Sequence, residues 1–361
     1  MNRNLLKLMA LHSRFLRAHS LLPALAGSTR ALPPAIVQLE LTHRCNLNCP
    51  MCYQSRNAGA AGELDAAAWK RLIDSLPRWS LLTLTGGDPF VRPDFSEILA
   101  YALRRHRCNI LTNGELMTRE QISAMVAGGL ALIGVSLDGL PDTHDAIRRK
   151  RGLFERVREN LALLREEKRR KNSRLPLLDI KTVILPENAG QLRDIQSLAG
   201  ELGADYWSLS LPKVSRFQFS NLYRDDHEEV LRSGPEKTCL ALGAEQQAEL
   251  LGQLAAVSSA ASGPVVRFYP YNMLSPGAVS AHLADSLSPS DFQPCRIPWS
   301  FACVSPKGDV FPCLACRMGN AADTPFKEIW NGEKFRKFRA RLSKRTLDKC
   351  CLGCCYSVYK A

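Results

Sequence analysis

Leu41-Thr-His-Arg-Cys45-Asn-Leu-Asn-Cys49-Pro-Met-Cys52-Tyr-Gln-Ser-Arg56 is the stretch on which the reading of this chain turns. Its three cysteines, spaced C-x3-C-x2-C, follow directly on an alternating apolar run, Ile36 to Leu41, that predicts a strand. The thiols therefore sit on a short loop at that strand's C-terminal end. Iron–sulfur clusters are held by closely spaced cysteine thiolates, normally four, so three on one loop leave one iron able to bind something else. A structural zinc or a disulfide loop is the competing reading. Zinc sites are usually closed by four ligands, however, and no obvious His or Cys partner follows nearby.

The spacing resembles the signature of the radical S-adenosylmethionine (SAM) enzymes. The resemblance implies that Cys45, Cys49 and Cys52 hold a [4Fe–4S] cluster whose open iron chelates the amino and carboxylate groups of SAM and delivers the electron that cleaves it to a 5′-deoxyadenosyl radical. One departure is Met51, where the family usually has an aromatic residue.

From Ile36 to about Leu211 strand-like runs alternate with helical ones. Ile36–Thr42, Leu81–Thr85, Asn109–Thr112, Leu132–Leu137, Leu177–Ile184 and Tyr206–Leu211 are apolar or β-branched; helical patterns fall at Asp65–Leu76, Phe95–His106, Arg119–Ala127, Leu153–Arg170 and Gly190–Leu202. Six strands joined by five crossovers imply an α/β fold with a parallel sheet. The resemblance implies a partial (β/α)6 TIM-like barrel with a small C-terminal cysteine-rich domain. The expected divisions are a basic N-terminal segment (1–35), a barrel (36–240), a connecting segment (241–292) and an auxiliary cluster domain (293–361).

Loops after parallel strands are where such sheets keep their chemistry. Gly86-Gly87-Asp88-Pro89 follows the second strand, where paired glycines let backbone approach closely and proline fixes a turn. It resembles the family's Gly-Gly-Glu-Pro, whose backbone receives the SAM amino group. Thr112-Asn113-Gly114 ends the third strand, again resembling many members of the family, and the resemblance makes Asn113 a candidate cofactor contact. Ser136-Leu137-Asp138-Gly139 ends the fourth and is followed by His144, Asp145, Arg148 and Gly152. That stretch resembles the pattern of a family subgroup with C-terminal auxiliary clusters, and the resemblance implies that Ser136 and Asp138 contact SAM's polar groups while Arg148 pairs with its carboxylate, with Arg149 and Arg151 as close competitors. Asp142 and Asp145 read as helix caps. Between Ser275 and Pro294 no period is visible.

Eight of the thirteen cysteines lie in the last seventy residues. Cys295 is separated from Gly308 by twelve residues and Gly308 from Cys313 by four, within a hairpin-like run from Cys303 to Cys313. This resembles the opening of the SPASM and twitch extensions, and Phe326-Lys-Glu-Ile-Trp-Asn331 resembles their linking segment. Cys295, Cys313, Cys351 and Cys354 are the implied ligands of one auxiliary [4Fe–4S] cluster, with Cys350 and Cys355 as substitutes and Cys303 with Cys316 as candidates for a second, degenerate site. Four closely spaced cysteines also suit a zinc ribbon. Cys108 and Cys239 read as ordinary buried thiols.

The net charge of +13 favours an acidic partner without choosing one. The basic runs Arg148–Arg174 and Lys327–Lys349 are mixed with acids at helical spacing, which reads as solvated helix faces. Residues 1–35 hold no Asp or Glu and form a basic amphipathic pattern too interrupted for a signal peptide or a spanning helix. Such a helix covers the barrel or a partner, or lies on an anionic membrane. The expectation is a cytoplasmic enzyme, peripheral to the membrane at most, taking an electron from a donor such as flavodoxin or ferredoxin. Its substrate is expected to be a peptide or protein, as in the maturases, with the auxiliary cluster aiding oxidation or coupling; the alternatives are a small molecule or lipid precursor, and RNA. No recognisable RNA-binding module accompanies the charge, which argues against nucleic acid.

Overall fold

The computed structural model describes residues 23–24, 27–52, 62–211, 242–260, 262–313, 316–343, 347, 351–352 and 354–360. Nearly all of the basic N-terminal pattern, Cys239 and Cys350 lie outside them. Six strands run in sequence order across a parallel sheet: β1 (Ile36–Thr42), β2 (Leu81–Gly86), β3 (Cys108–Thr112), β4 (Leu132–Ser136), β5 (Leu177–Val183) and β6 (Tyr206–Ser210). They are joined through α1 (Ala66–Ser75), α2 (Phe95–Leu103), α3 (Arg119–Ala127), α4 (Pro141–Arg148), α5 (Leu153–Arg170) and α6 (Leu192–Glu201). This is the parallel α/β architecture that the alternation implies.

Local chemistry places the helix ends. Asp65 accepts from Ala68 N to start α1, and Thr118 forms a reciprocal capping box with Gln121 to start α3. Asp145 reaches forward from α4 to accept from Phe154 N at 2.8 Å, serving the first turn of α5. On α5, Leu153, Phe154, Val157, Leu161 and Leu164 are buried at helical spacing, while Arg156–Glu159 and Arg158–Glu155 pair on the outer face.

The sheet does not stop at six strands. After α7 (Ala244–Ser258), β7 (Val265–Tyr269) adds parallel to β6. On the opposite side β8 (Phe301–Val304) adds parallel to β1, followed by antiparallel β9 (Asp309–Phe311) and β10 (Gly319–Asn320). The order is β10-β9-β8-β1-β2-β3-β4-β5-β6-β7. The cysteine-rich tail is thus hydrogen-bonded to the strand that carries the three-cysteine loop. The stretch between Ser275 and Pro294, aperiodic in sequence, contains α8 (Pro276–Leu283), capped by Ser275 with proline at its first position. Two turns are too few for a period to show.

Period-two alternation gives the sheet two different faces. Val37, Leu39, Leu41, Ile180, Trp207 and Leu209 belong to the main apolar core. Their neighbours Gln38, Glu40, Asp179, Lys181, Ser208 and Arg267 share the other face through the registers Gly134↔Asp179, Ser136↔Lys181 and Ser208↔Arg267. That concave face is polar.

The last two helices, α9 (Phe326–Trp330) and α10 (Glu333–Ser343), grip the segment that leads into β1. Arg339 is fully buried; its Nε donates to Pro298 O and its Nη1 to Thr29 O and Asn331 Oδ1, at 2.8, 3.2 and 3.0 Å. Trp299 Nε1 and Trp330 Nε1 donate to Ser28 O and Leu32 O. The end of the basic N-terminal segment is therefore packed against the tail domain. Among the described residues no helix is long and apolar enough to cross a membrane.

Candidate iron–sulfur and cofactor centre

The three-cysteine loop leaves the end of β1 and is braced at its root. Arg92 donates to Leu41 O and Leu64 O at 2.7 and 3.0 Å while its other edge pairs with Asp94. Glu63 accepts from Thr42 Oγ1 and His43 N at 2.6 and 3.1 Å. Neither Arg92 nor Glu63 carries a motif, and both were invisible to sequence reasoning. Beyond them Cys45 is exposed, Cys49 buried and Cys52 half-buried, with Cys52 N turning back onto Cys49 O at 3.1 Å.

Donors surround two of the sulfurs. Leu47 N points at Cys45 Sγ (3.4 Å), as does Asn113 Nδ2 (3.9 Å), and Arg148 Nη1 lies 3.8 Å from Cys49 Sγ. Although Cys45 reaches the surface, the protein crowded around its sulfur desolvates the thiol and pushes it up to about 11, opposed by the Leu47 N–H; burial likewise raises Cys49 against the pull of Arg148. Thiols so desolvated need a cationic centre to become thiolates, and N–H groups aimed at sulfur suit that state. No described cysteine is in a disulfide. The residues present fit a cluster.

The glycine loop after β2 lies directly on this loop. Gly87 N donates to Thr42 O at 2.7 Å and Asp88 N to Arg44 O at 3.0 Å. A Cβ on Gly86 would stand 2.2 Å from Thr42 O, and one on Gly87 2.2 Å from Arg44 O. The paired glycines are therefore required by the approach of one backbone to another, and the amides of Gly87 and Asp88 serve the cysteine loop.

Asp88 is fully buried and accepts from Phe90 N, Thr112 Oγ1 and Asn113 N at 3.0, 2.7 and 2.8 Å, tying the ends of β2 and β3 together. Asn113 continues the tie to Asn46 Oδ1 at 2.9 Å. Asn160 on α5 donates to Gly114 O and Glu115 O, holding this turn from behind.

Asp138 is fully buried. Its Oδ1 accepts from Val183 N at 2.8 Å, its Oδ2 receives Arg148, and its N–H donates to His144 Nδ1 at 3.1 Å. Its carboxylate is occupied within the fold, and the group it presents to the cysteine loop is the Arg148 guanidinium. Ser136 lies on the concave face beside Lys181. Met51 packs against the buried pair Ile147 and Leu185.

In the tail, burial raises the Cys295 thiol strongly, with Cys351 and Cys354 as charged neighbours that raise it further. Cys354 N turns onto Cys351 O at 3.2 Å. Cys295 is thus within electrostatic reach of both. Cys313, just past β9, has Cys303 beside it, and Cys303 in turn meets Glu40 and Gln38 of β1. Cys355 lies near Tyr271, and Cys316 is buried with a positive φ of 65°.

The pattern of the radical SAM superfamily matches residues 39–199, and that of SPASM, an iron–sulfur cluster-binding domain, matches residues 295–355. Over 343 residues the chain is 32% identical to the AdoMet-dependent heme synthase of Methanosarcina barkeri, covering 91% of this chain and 93% of that protein. It is 26% identical over 340 residues to the PqqA peptide cyclase of Xanthomonas campestris pv. campestris, with 89% and 79% of the two chains covered. SuiB of Streptococcus suis bound to S-adenosylmethionine shares the fold, with a TM-score of 0.63 at 14% identity over 92% of this chain and 72% of that one. The chain belongs to the radical SAM superfamily. It is an enzyme, and its cofactors are SAM, the SAM-binding iron–sulfur cluster and an auxiliary cluster in the SPASM domain.

Proposed function

We propose that this enzyme cleaves SAM reductively and modifies a small tetrapyrrole of the heme kind. SAM and its cluster, when bound, supply a radical that takes a hydrogen atom from an unactivated carbon. The protein's part is to hold and shield. Cys45, Cys49 and Cys52 are the proposed ligands of the first cluster, with Arg148 facing Cys49 and Asn113 facing Cys45. The carbonyls of Gly86 and Gly87, and Ser136 on the concave face, are the proposed SAM contacts; Asp88 ties the adjoining ends of β2 and β3 together, and Asp138 holds Arg148. Cys295, Cys351 and Cys354, with Cys313, are the proposed auxiliary ligands. In this reading residues 36–240 carry the radical chemistry, 241–292 connect and supply β7, and 293–361 hold the auxiliary cluster. A one-electron donor such as flavodoxin or ferredoxin is the proposed partner.

The observation that carries the chemistry is the meeting of the three-thiol loop, the glycine loop and Arg148 at the C-terminal ends of β1, β2 and β4. The substrate reading rests on the heme synthase match, which is higher in identity and spans more of its relative than the peptide cyclase match. The peptide cyclase keeps a peptide substrate as the second reading.

Anaerobically reconstituted protein given SAM and dithionite should yield 5′-deoxyadenosine and methionine. Replacing Cys45, Cys49 and Cys52 together by alanine should abolish this and leave about four irons per chain, the content of one cluster. Deoxyadenosine that persists in the triple variant would refute the cluster assignment. A mass change in an iron porphyrin substrate, absent from peptide incubations, separates the two substrate readings.

A further inference from the structure

Two cations on the concave face share one acid. Lys181 on β5 and Arg267 on β7 lie in one lateral row, Ser136↔Lys181↔Ser208↔Arg267. Lys181 Nζ is 3.0 Å and Arg267 Nη1 3.8 Å from the same atom, Asp179 Oδ2. Asp179 is 2% exposed, and its other oxygen is occupied by Ser208 Oγ at 2.7 Å. The two cations keep side-chain exposures of 32% and 29%, so neither is closed off from solvent. Among the described residues this wall carries two positive charges and one negative. The other buried acid of the concave face, Glu40, is on β1, beyond β4, β3 and β2, where Gln38 Nε2 donates to it at 3.1 Å.

The pair is shaped rather than incidental. Arg267 lies 3.5 Å from the Tyr206 ring centroid, which fixes the plane of its guanidinium. Lys181 crosses Gly134, where a Cβ would stand 2.6 Å from Leu111 Cδ2 and 2.7 Å from Lys181 Cε. Glycine at that position is what lets the lysine stem lie along the sheet. The row is level with Ser136, two residues before Asp138, and so adjoins the proposed SAM position.

We propose that Lys181 and Arg267 form a carboxylate-binding subsite that anchors the substrate by an acidic side group. A half-buried pair of cations with one shared carboxylate takes up an anion to complete its charge, and a fixed guanidinium edge beside an ammonium matches a carboxylate's two oxygens. Asp179 sets the strength of the subsite by withholding part of that charge. The porphyrin probe rests on the tetrapyrrole reading; the subsite itself does not.

The test uses reconstituted enzyme, with iron content and circular dichroism as folding controls. Fe-coproporphyrin III is titrated as the free acid and as its tetramethyl ester, and succinate is followed by thermal shift against chloride at equal ionic strength. The variants are Lys181→Gln/Arg267→Gln and Asp179→Asn. Expected are at least about tenfold weaker binding of the acid by the double variant with the ester unaffected, loss of the succinate shift there, and tighter acid and succinate binding by Asp179→Asn. Equal binding of acid by wild type and double variant, or no succinate shift in any form, overturns the subsite. Failure of the porphyrin to bind, with a succinate shift lost only in the double variant, overturns the tetrapyrrole reading and upholds the subsite.

Discussion

Arg148 meets Asp138 twice at one oxygen: Nε and Nη2 of the guanidinium both lie 2.5 Å from Oδ2. The opposite oxygen is fixed by Val183 N, so the carboxylate cannot turn away. Removing one partner of a buried pair strands the other charge, at a cost of about 3–5 kcal/mol. Asp138→Asn should therefore lower the denaturation midpoint and make the first cluster more easily lost to a chelator, because Arg148 is no longer held at Cys49. An unchanged midpoint would show that the pair does not support the fold.

Gly87 and Gly252 make a matched contrast. A methyl at Gly87 would meet Arg44 backbone oxygen at 2.2 Å, while one at Gly252, inside α7, would meet nothing within 4 Å. Gly87→Ala should displace the cysteine loop and cost more than tenfold in deoxyadenosine formation. Gly252→Ala should leave turnover intact and raise stability by roughly 0.5–1 kcal/mol, the ordinary helix preference for alanine. Similar turnover in both variants would refute the close-packing account.

His144 ties acid stability to the same region. Burial, and then the nearby Arg148, depress its pKa from 6.5 to about 3, so the folded imidazole stays neutral. The unfolded chain takes up a proton below about pH 6.5 that the folded chain refuses. Stability is thus fully present above that pH and falls as the pH drops toward 3, at up to about 1.4 kcal/mol per pH unit. His144→Asn keeps an acceptor for Asp138 N without a titrating ring. Its stability should decline less steeply than wild type between pH 6.5 and 4, and parallel curves would contradict the assignment.

Arg339 is a buried cation without a carboxylate partner among the described residues, and burial lowers its pKa to about 9. It holds Pro298 O and Thr29 O and lies 4.4 Å from the Trp330 ring centroid and 4.8 Å from that of Phe335. Arg339→Met should fill the space yet leave those carbonyls unpaired, costing about 1–3 kcal/mol each where they remain dry. Limited proteolysis should then cut near Thr29 before the barrel is attacked; protection equal to wild type would show that the carbonyls find other donors.

Much of the barrel is written locally. Strand Ile36–Thr42 and helices Arg119–Ala127 and Leu153–Arg170 have the bounds that their periodicity predicts, because alternation and the i, i+3, i+4 pattern are properties of neighbouring residues. The centre was legible where spacing carries it, in the cysteines and the glycine pair. What was not legible depends on distant partners. Asp138 shows an acid in its strand-end motif but not that Val183 N and Arg148 take up its oxygens. Asp179 and Lys181 stand out as charges in an apolar strand, yet Arg267, which gives them meaning, lies on β7. Nothing near Phe301 announces that it will pair beside Ile36.

That last pairing bears on how the chain is made. As the protein leaves the ribosome, β1 has one flank covered early by β2, while its other flank waits for β8, which begins only at Phe301. Until then the strand that bears the iron-ligating loop is an open edge, able to pair with the wrong segment or another molecule. The C-terminal extension is therefore also the closing member of the sheet. A nascent chain stalled before Phe301 should be held by chaperones or aggregate, and the first cluster should be loaded most securely only after synthesis is complete.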